Sequence, residues 1–386
     1  MKNMADVNLR SRKILVDNIT WLLSSDIRIK NGENKGAFYG WKNLNPPSFP
    51  FIYSEITGYA VTAFLWLHSE FENQSALKAA IESASWLKRN MHSYLLAARP
   101  PSSSNLNNLS DLFYSFDNGM IMIGFLNLYK VTKKPNFLFL AEKMTRMIIE
   151  HFFDGTKLIA RLDKTLKPIA VNDKRETNKW SVISGAYHCK LSIGLLELSK
   201  LTGNKTYSEL SDSLCNYAIK LQKPTGEFIT NPDSNIIHIH PHLYACEGLI
   251  HSGVITANNK HYLAGLNGVK WAIKQANSCK GGGLRSNTLQ DSTEQSDCTA
   301  QLLRLLILCR TQLGKHYGRT ALEKTIDKLH ERLLDFYIPT DNGQGGMRYQ
   351  LNLDSICSWC TMFSVQALGL WQSKGSKNLS WIDYFI

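Results

Sequence analysis

Long hydrophobic runs are missing from this chain of 386 residues. Even the apolar run from Ala60 to Leu67 ends within a few residues at His68 and Glu70, well short of the roughly 18 apolar residues a membrane span needs. The first residues, MKNMADVNLRSRKILVDN, are charged throughout and lack an apolar signal core and a small-residue cleavage site, which predicts a cytoplasmic protein with no integral membrane segment. β-Branched alternation is scarce, so large sheets are not expected. No DxDD or DDxxD cluster occurs, and with it goes the usual means of protonating an alkene or holding magnesium diphosphate. The eight cysteines are scattered through apolar helical stretches, not spaced as a secreted disulfide framework. Cys357 and Cys360 form a CxxC without a second pair or a nearby histidine, and read as core residues one helical turn apart. No metal and no cofactor are expected. Lysines and arginines outnumber acids by 12, which favours an anionic substrate; they are dispersed, with no arginine-rich block or RNA-binding motif, so nucleic acid is not expected.

What is present is a repeat. Six apolar stretches begin near Glu55, Asp117, His188, His242, Asp297 and Trp359, separated by 62, 71, 54, 55 and 62 residues. Such a period holds two helices and their connections. Between them lie six more charged, amphipathic segments near 8–24, 76–94, 136–151, 205–222, 260–277 and 318–337. In the last, Leu322, Ile326, Leu329, Leu333 and Phe336 recur at spacings of three and four, the pattern of a helix with one buried face. The alternation predicts one all-α domain over 1–386, an (α/α)6 toroid with outer and inner helix rings; an open solenoid is the competing layout. Five of the six outer segments are followed by a glycine-led element, GAFYGW, DGTKLIAR, GEFIT, GGGLRS and GGMRYQ. The second repeat has RPPSSSNLNN at 99–108 instead, read as a loop over one rim.

Glycine-led turns before helices with polar first turns, together with the phrases FDNGMIMIGFLNLYKVTKKPNFLFLAEKM and SGAYHCKLSIGLLELSKLTGNKTYSEL, resemble the α/α toroid superfamily. The likeness is strongest to its sugar-active members: six-hairpin glycosidases, uronate hydrolases and lyases, and N-acylglucosamine 2-epimerase-like enzymes. Terpenoid cyclases and protein prenyltransferases are similar more distantly. The resemblance implies a working bowl at the N-terminal ends of the inner helices, whose dipoles favour anions.

The first turns of those helices supply the candidates. Asp117, Asp297 and Glu55 are the carboxylates that hydrolysis requires, though each also suits a helix cap. His188 and His242 are bases for lyase or epimerase chemistry, or hydrogen-bonded core histidines. Tyr53, Tyr59, Tyr187, Tyr244 and Trp359 are rings for stacking a sugar, and Arg285 and Arg348 could grip a carboxylate. His238, His240 and His242 alternate through HIHPH, which places them on one side of an extended segment. The reading is a carbohydrate-active enzyme on an acidic, uronate-type sugar or oligosaccharide, hydrolase ahead of lyase or epimerase. An isoprenoid or prenyltransferase-like enzyme and a non-catalytic glycan- or partner-binding toroid are the alternatives.

Overall fold

The computed structural model describes residues 4–100, 111–170, 173, 180–230, 235–340, 344–373 and 384–386. Thirteen α-helices run in this order among the described residues: α1 (Met4–Ser24), α2 (Ser54–Phe71), α3 (Gln74–Arg89), α4 (Ser115–Thr132), α5 (Pro135–Phe152), α6 (Ser192–Thr202), α7 (Lys205–Lys220), α8 (Ile239–Ile255), α9 (Asn259–Ser278), α10 (Ser296–Leu308), α11 (Arg310–Tyr317), α12 (Arg319–Leu334) and α13 (Ser358–Gln372). They form the (α/α)6 toroid. Helices α2, α4, α6, α8, α10 and α13 are the inner ring. They are buried almost all round, as in α2 from Ser54 to Leu67 and α4 from Ser115 to Leu128. Outer helices bury one stripe, for instance Ala76, Ala79, Ala80, Ser83 and Leu87 of α3, which is why their sequences mix charge with apolar periodicity.

Local signals set the helix boundaries. Asn73, Asn204 and Asn258 cap the outer helices α3, α7 and α9 through their side chains, and Pro135 opens α5, where its missing N–H costs nothing. Three inner helices end on a left-handed residue, Glu72, Lys133 or Gly203, which turns the chain sharply into the next outer helix.

Each outer helix is followed by a connector that crosses the top of the ring, and the inner helices staple these connectors in one repeated way. In five inner helices the first helical residue donates its N–H to a connector carbonyl: Ser54 to Ala98, Ser115 to Ala160, Ile239 to Ser286, Ser296 to Tyr349 and Ser358 to Gly40, all at 2.9–3.1 Å. Three residues later a side chain accepts an N–H from the adjacent connector: Phe38 to Thr57, Leu96 to Asn118, Phe228 to His242, Leu284 to Thr299 and Met347 to Thr361. Most connectors are therefore held by two successive inner helices. The Ser358–Gly40 bond joins the last inner helix to the first connector and closes the ring.

The connectors are more extended than the scarcity of β-branched alternation suggested. They form β1 (Trp41–Leu44), β2 (Pro47–Ser48), β3 (Phe113–Tyr114), β4 (Arg161–Leu162), β5 (Leu284–Arg285), β6 (Glu294–Gln295), β7 (Tyr337–Pro339), β8 (Gly345–Met347) and β9 (Ser355–Cys357). All pair antiparallel; β1 lies between β2 and β9, with Trp41 opposite Cys357, and the pairs β3–β4, β5–β6 and β7–β8 stand apart. Gly36 and Gly226 sit at φ +98° and +110°, and a Cβ on either would collide with the carbonyl of Glu82 or Asn267 on an outer helix. Only glycine meets both demands there.

Four local readings need correction. The second outer helix ends at Arg89, capped by Asn90, and 90–95 is a bridged turn. The third inner helix opens with a 3-10 turn, Ala186–Leu191. The stretch LLRLLILCRT is broken at Cys309 by the extra helix α11. HIHPH is not extended beyond His238: α8 starts at Ile239, so His240 and His242 lie on different sides of a helix. Residues 101–110, most of the polar stretch expected over one rim, lie outside the described residues. No described helix is long and apolar enough to cross a membrane.

Candidate active site

Counting the stapled residue as the first, the second residue of each of these five inner helices faces the axis. These are Glu55, Phe116, His240, Asp297 and Trp359, joined by Tyr187 from the 3-10 turn. Their contacts run around one bowl. Phe116 lies 5.2 Å from Tyr187 and 4.9 Å from Tyr244. Trp180 lies 4.7 Å from Tyr187 and 6.0 Å from His240. The His240 ring is 5.5 Å from Phe363, and its Nδ1 is 3.8 Å from Asp297 Oδ2. Trp359 Nε1 donates to the same oxygen at 3.1 Å, and the Cys298 N–H donates to Asp297 Oδ1 at 2.7 Å.

One helical turn deeper lie Tyr59, Tyr244, Gln301 and Phe363. Tyr59 donates to Glu55 Oε1 at 2.8 Å, and its hydroxyl oxygen is 2.6 Å from that of Tyr244. Helices α2 and α8 are three places apart in a ring of six, so two hydroxyls meeting on the axis make a floor. Burial, with Glu55 beside both, pushes the two phenols well above their usual range, which keeps them neutral donors.

A second layer seals the ring beneath this floor. Lys190 and Arg304 both donate to the Glu247 carboxylate, and Arg304 also donates to Gln366. Both cations reach the Ile386 carbonyl oxygen, at 2.7 and 3.2 Å, and Phe385 stacks on Arg304 at 4.5 Å. Burial pushes the Lys190 ammonium down to about 8 against the pull of Glu247.

The sequence candidates divide under this geometry. Glu55, Asp297, Tyr59, Tyr187, Tyr244 and Trp359 share the bowl. Asp117 is buried one residue past the axis-facing Phe116, and its charge with that of Glu55 acts on the Tyr187 hydroxyl. His242 points away from the axis. It accepts the Phe228 N–H on Nδ1 at 3.2 Å and so carries its proton on Nε2, which donates to Gly268 O at 3.0 Å. It occupies the stapling position that Thr57, Thr299 and Thr361 fill elsewhere. His188 is likewise engaged, with the Gly185 N–H on Nδ1 and Ser115 Oγ 2.9 Å from Nε2. Burial holds both imidazoles neutral, near 3 for His188 and near 4 for His242. Tyr53 precedes α2 at its N-cap position without a side-chain capping bond, its ring 5.9 Å from Phe51. Arg285 lines a small crevice with Gln275 and Ser278 of α9, and Arg348 donates to the Leu351 carbonyl of its own loop; the two do not converge as a clamp.

Sequence reasoning did not single out Phe116, Trp180 and Phe363 as bowl residues, and it grouped His240 with its neighbours. The available signal was the motif serine, two residues, then threonine or asparagine, in SEIT, SFDN, SDCT and SWCT. Aligned on it, IHPH puts His240 beside Glu55 and Asp297 in the axis-facing column, and His242 in the stapling column.

The ring of helices has counterparts among solved structures, although no family model and no curated protein matches the chain. A sugar epimerase from a ruminal bacterium superposes with a TM-score of 0.72 at 11% identity, covering 96% of this chain and 100% of that one. Cellobiose 2-epimerase of Bacillus thermoamylovorans gives 0.70 at 12% identity over 95% and 99%. An unsaturated glucuronyl hydrolase specific for heparin gives 0.67 at 12% identity over 94% and 96%. At such identities the likeness is one of fold: this chain is built as the toroid these proteins share.

Proposed function

We propose that the chain is a carbohydrate-active enzyme whose substrate ring sits in the bowl, and that Glu55 and Asp297 carry the chemistry. The observation behind this reading is that two carboxylates occupy the same axis-facing position on different inner helices, within an aromatic wall. Each is oriented by a neutral donor, Tyr59 for Glu55 and Trp359 for Asp297. Glycoside hydrolysis asks for such a pair, one carboxyl to protonate the leaving oxygen and one carboxylate to activate water or attack. Trp180, partly exposed beside the buried Phe116, Tyr187 and Tyr244, offers an apolar face to sugar C–H groups, while hydroxyl donors meet the acids. Similarity in fold to uronate hydrolases and sugar epimerases supports a sugar substrate without choosing the reaction.

The substrate class in this reading is an acidic, uronate-type oligosaccharide. Its attraction would be long-range, from the excess of 12 positive charges, because the inner wall itself is acidic and Arg285 and Arg348 do not form a clamp. A second reading, epimerase or isomerase, is favoured by one observation: His240 places an imidazole in the bowl beside the Tyr59–Tyr244 hydroxyl pair, as carbon-bound proton transfer requires. The test is turnover of uronate-containing and neutral oligosaccharides by the wild type, Glu55→Gln and Asp297→Asn. Hydrolysis abolished by either substitution, with the fold retained, supports the first reading. No turnover of any sugar by the wild type would overturn both.

A further inference from the structure

The structure assigns a transition-metal site, of the kind that takes Zn2+, to His240, Asp297 and Cys298 at the wall between α8 and α10. One ligand atom from each residue lies within 4.8 Å of the other two, and His240 Nδ1 to Asp297 Oδ2 is 3.8 Å. Ligands at bonds of about 2.0–2.3 Å in a tetrahedral zinc site lie about 3.3–3.7 Å apart, so side-chain adjustments of about an ångström complete the set.

Three features mark the cluster as more than chance proximity. His240 Nδ1 is buried with no hydrogen-bond partner, although it faces the carboxylate. Gln301, one turn beyond Asp297 and wholly buried, brings its side-chain amide to the His240 imidazole, a partner of the kind that orients a metal-binding histidine. The Asp297 carboxylate is already oriented by the Trp359 indole N–H and the Cys298 N–H, the outer support that metal-bound carboxylates characteristically have.

Charge and donor type identify the ion. A carboxylate and a thiolate together balance one divalent cation, so the occupied site is neutral in a dry wall where two separate anions would not be tolerated. Sulfur with imidazole suits zinc and excludes magnesium and calcium, which take oxygen ligands. Three protein ligands leave the fourth position for water or a substrate oxygen, the pattern of a catalytic rather than a structural zinc. The inference goes beyond the sugar reading and shares Asp297 with it, since a carboxylate bound to the ion no longer acts as acid, base or nucleophile; its test reads occupancy and not turnover, so the two readings fail separately.

Chelator-treated full-length chain is titrated with Zn2+ by calorimetry and with Co2+ by absorption spectroscopy. The expected result is one metal per chain and a thiolate-to-cobalt charge-transfer band. Cys298→Ser should lose the band, and His240→Asn and Asp297→Asn should each weaken binding by at least about tenfold, while Cys360→Ser leaves both readouts unchanged. Far-UV circular dichroism checks each fold, and His240→Asn serves should the fully buried Cys298→Ser fail to fold. Absence of the band in the wild type would overturn the site. So would wild-type binding by Cys298→Ser and His240→Asn, or loss of the band in Cys360→Ser in place of Cys298→Ser.

Discussion

Replacing His242 with alanine tests whether this histidine is a staple or a catalyst. The substitution strips the buried Phe228 N–H of its acceptor and the Gly268 carbonyl of its donor. An unpaired buried backbone group costs about 1–3 kcal/mol, so the two together predict a loss of about 2–6 kcal/mol. His242→Asn should recover about half, since Asn118 holds Leu96 in the same way from α4. A second signature lies in pH. The folded pKa of His242 is held down near 4 by burial, against about 6.5 in the unfolded chain, so the unfolded state binds the extra proton and stability falls as pH drops through the window from 6.5 to 4. Between pH 7.5 and 5.5 that linkage removes about 1.3 kcal/mol from the wild type and nothing from the variant. Denaturant unfolding followed by circular dichroism at the two pH values reads both effects. The variant should be less stable at pH 7.5, and the gap should narrow at pH 5.5. A variant with the wild-type midpoint, or a gap that does not change with pH, would refute the stapling role.

Other outcomes follow from the same geometry. Glu55→Gln keeps an acceptor for Tyr59 and should hold the melting temperature while turnover falls by roughly 10²-fold or more; a large drop in melting temperature with full activity per folded molecule would make Glu55 structural. Asp117→Asn, one residue off the axis, should lower turnover less than Glu55→Gln does, and the reverse order would move the lead carboxylate to α4. Glu247→Gln leaves Lys190 and Arg304 without their shared carboxylate beneath the floor, which should cost about 3–5 kcal/mol by calorimetry; a melting temperature unmoved by the change would contradict a charge-balanced seal. Binding of a uronate oligosaccharide should weaken as salt is raised while a neutral counterpart does not respond, and equal, salt-independent binding of both would remove the acidic-substrate reading.

The ring was legible in the sequence because a closed toroid repeats one burial problem six times. Inner helices such as Ser54–Phe71 must be apolar nearly all round, and outer ones such as Arg319–Leu334 only on a stripe, so the alternation survives loops of unequal length. Helix starts were legible for the same reason, and the residues read there, Glu55, Asp297, Tyr59, Tyr187, Tyr244 and Trp359, come together at one end of the inner ring. Direction was harder. At a first turn, each residue changes the facing by about 100°, which separates Asp117 from Phe116 by one step and His242 from His240 by two. Period alone does not supply that phase; the stapling bonds of Ser54 and Thr57, repeated at Ser296 and Thr299, do. Arg285 and Arg348 looked alike because both follow glycines, yet one borders α9 and the other folds onto Leu351. The charge layer was invisible for another reason: Lys190, Glu247 and Arg304 are far apart in the chain, and each reads as an isolated charge within an apolar helix.

The most direct test of the account is an isotope measurement of a uronate oligosaccharide turned over in doubly labelled water, H218O containing D2O, by the wild type and by Glu55→Gln. The account predicts 18O in the newly formed anomeric hydroxyl, no deuterium on the ring carbons, and loss of the 18O label with Glu55→Gln. Deuterium at a ring carbon without 18O would contradict the hydrolytic role of the paired carboxylates in favour of proton transfer by His240. Label in neither position would contradict a sugar reaction in the bowl.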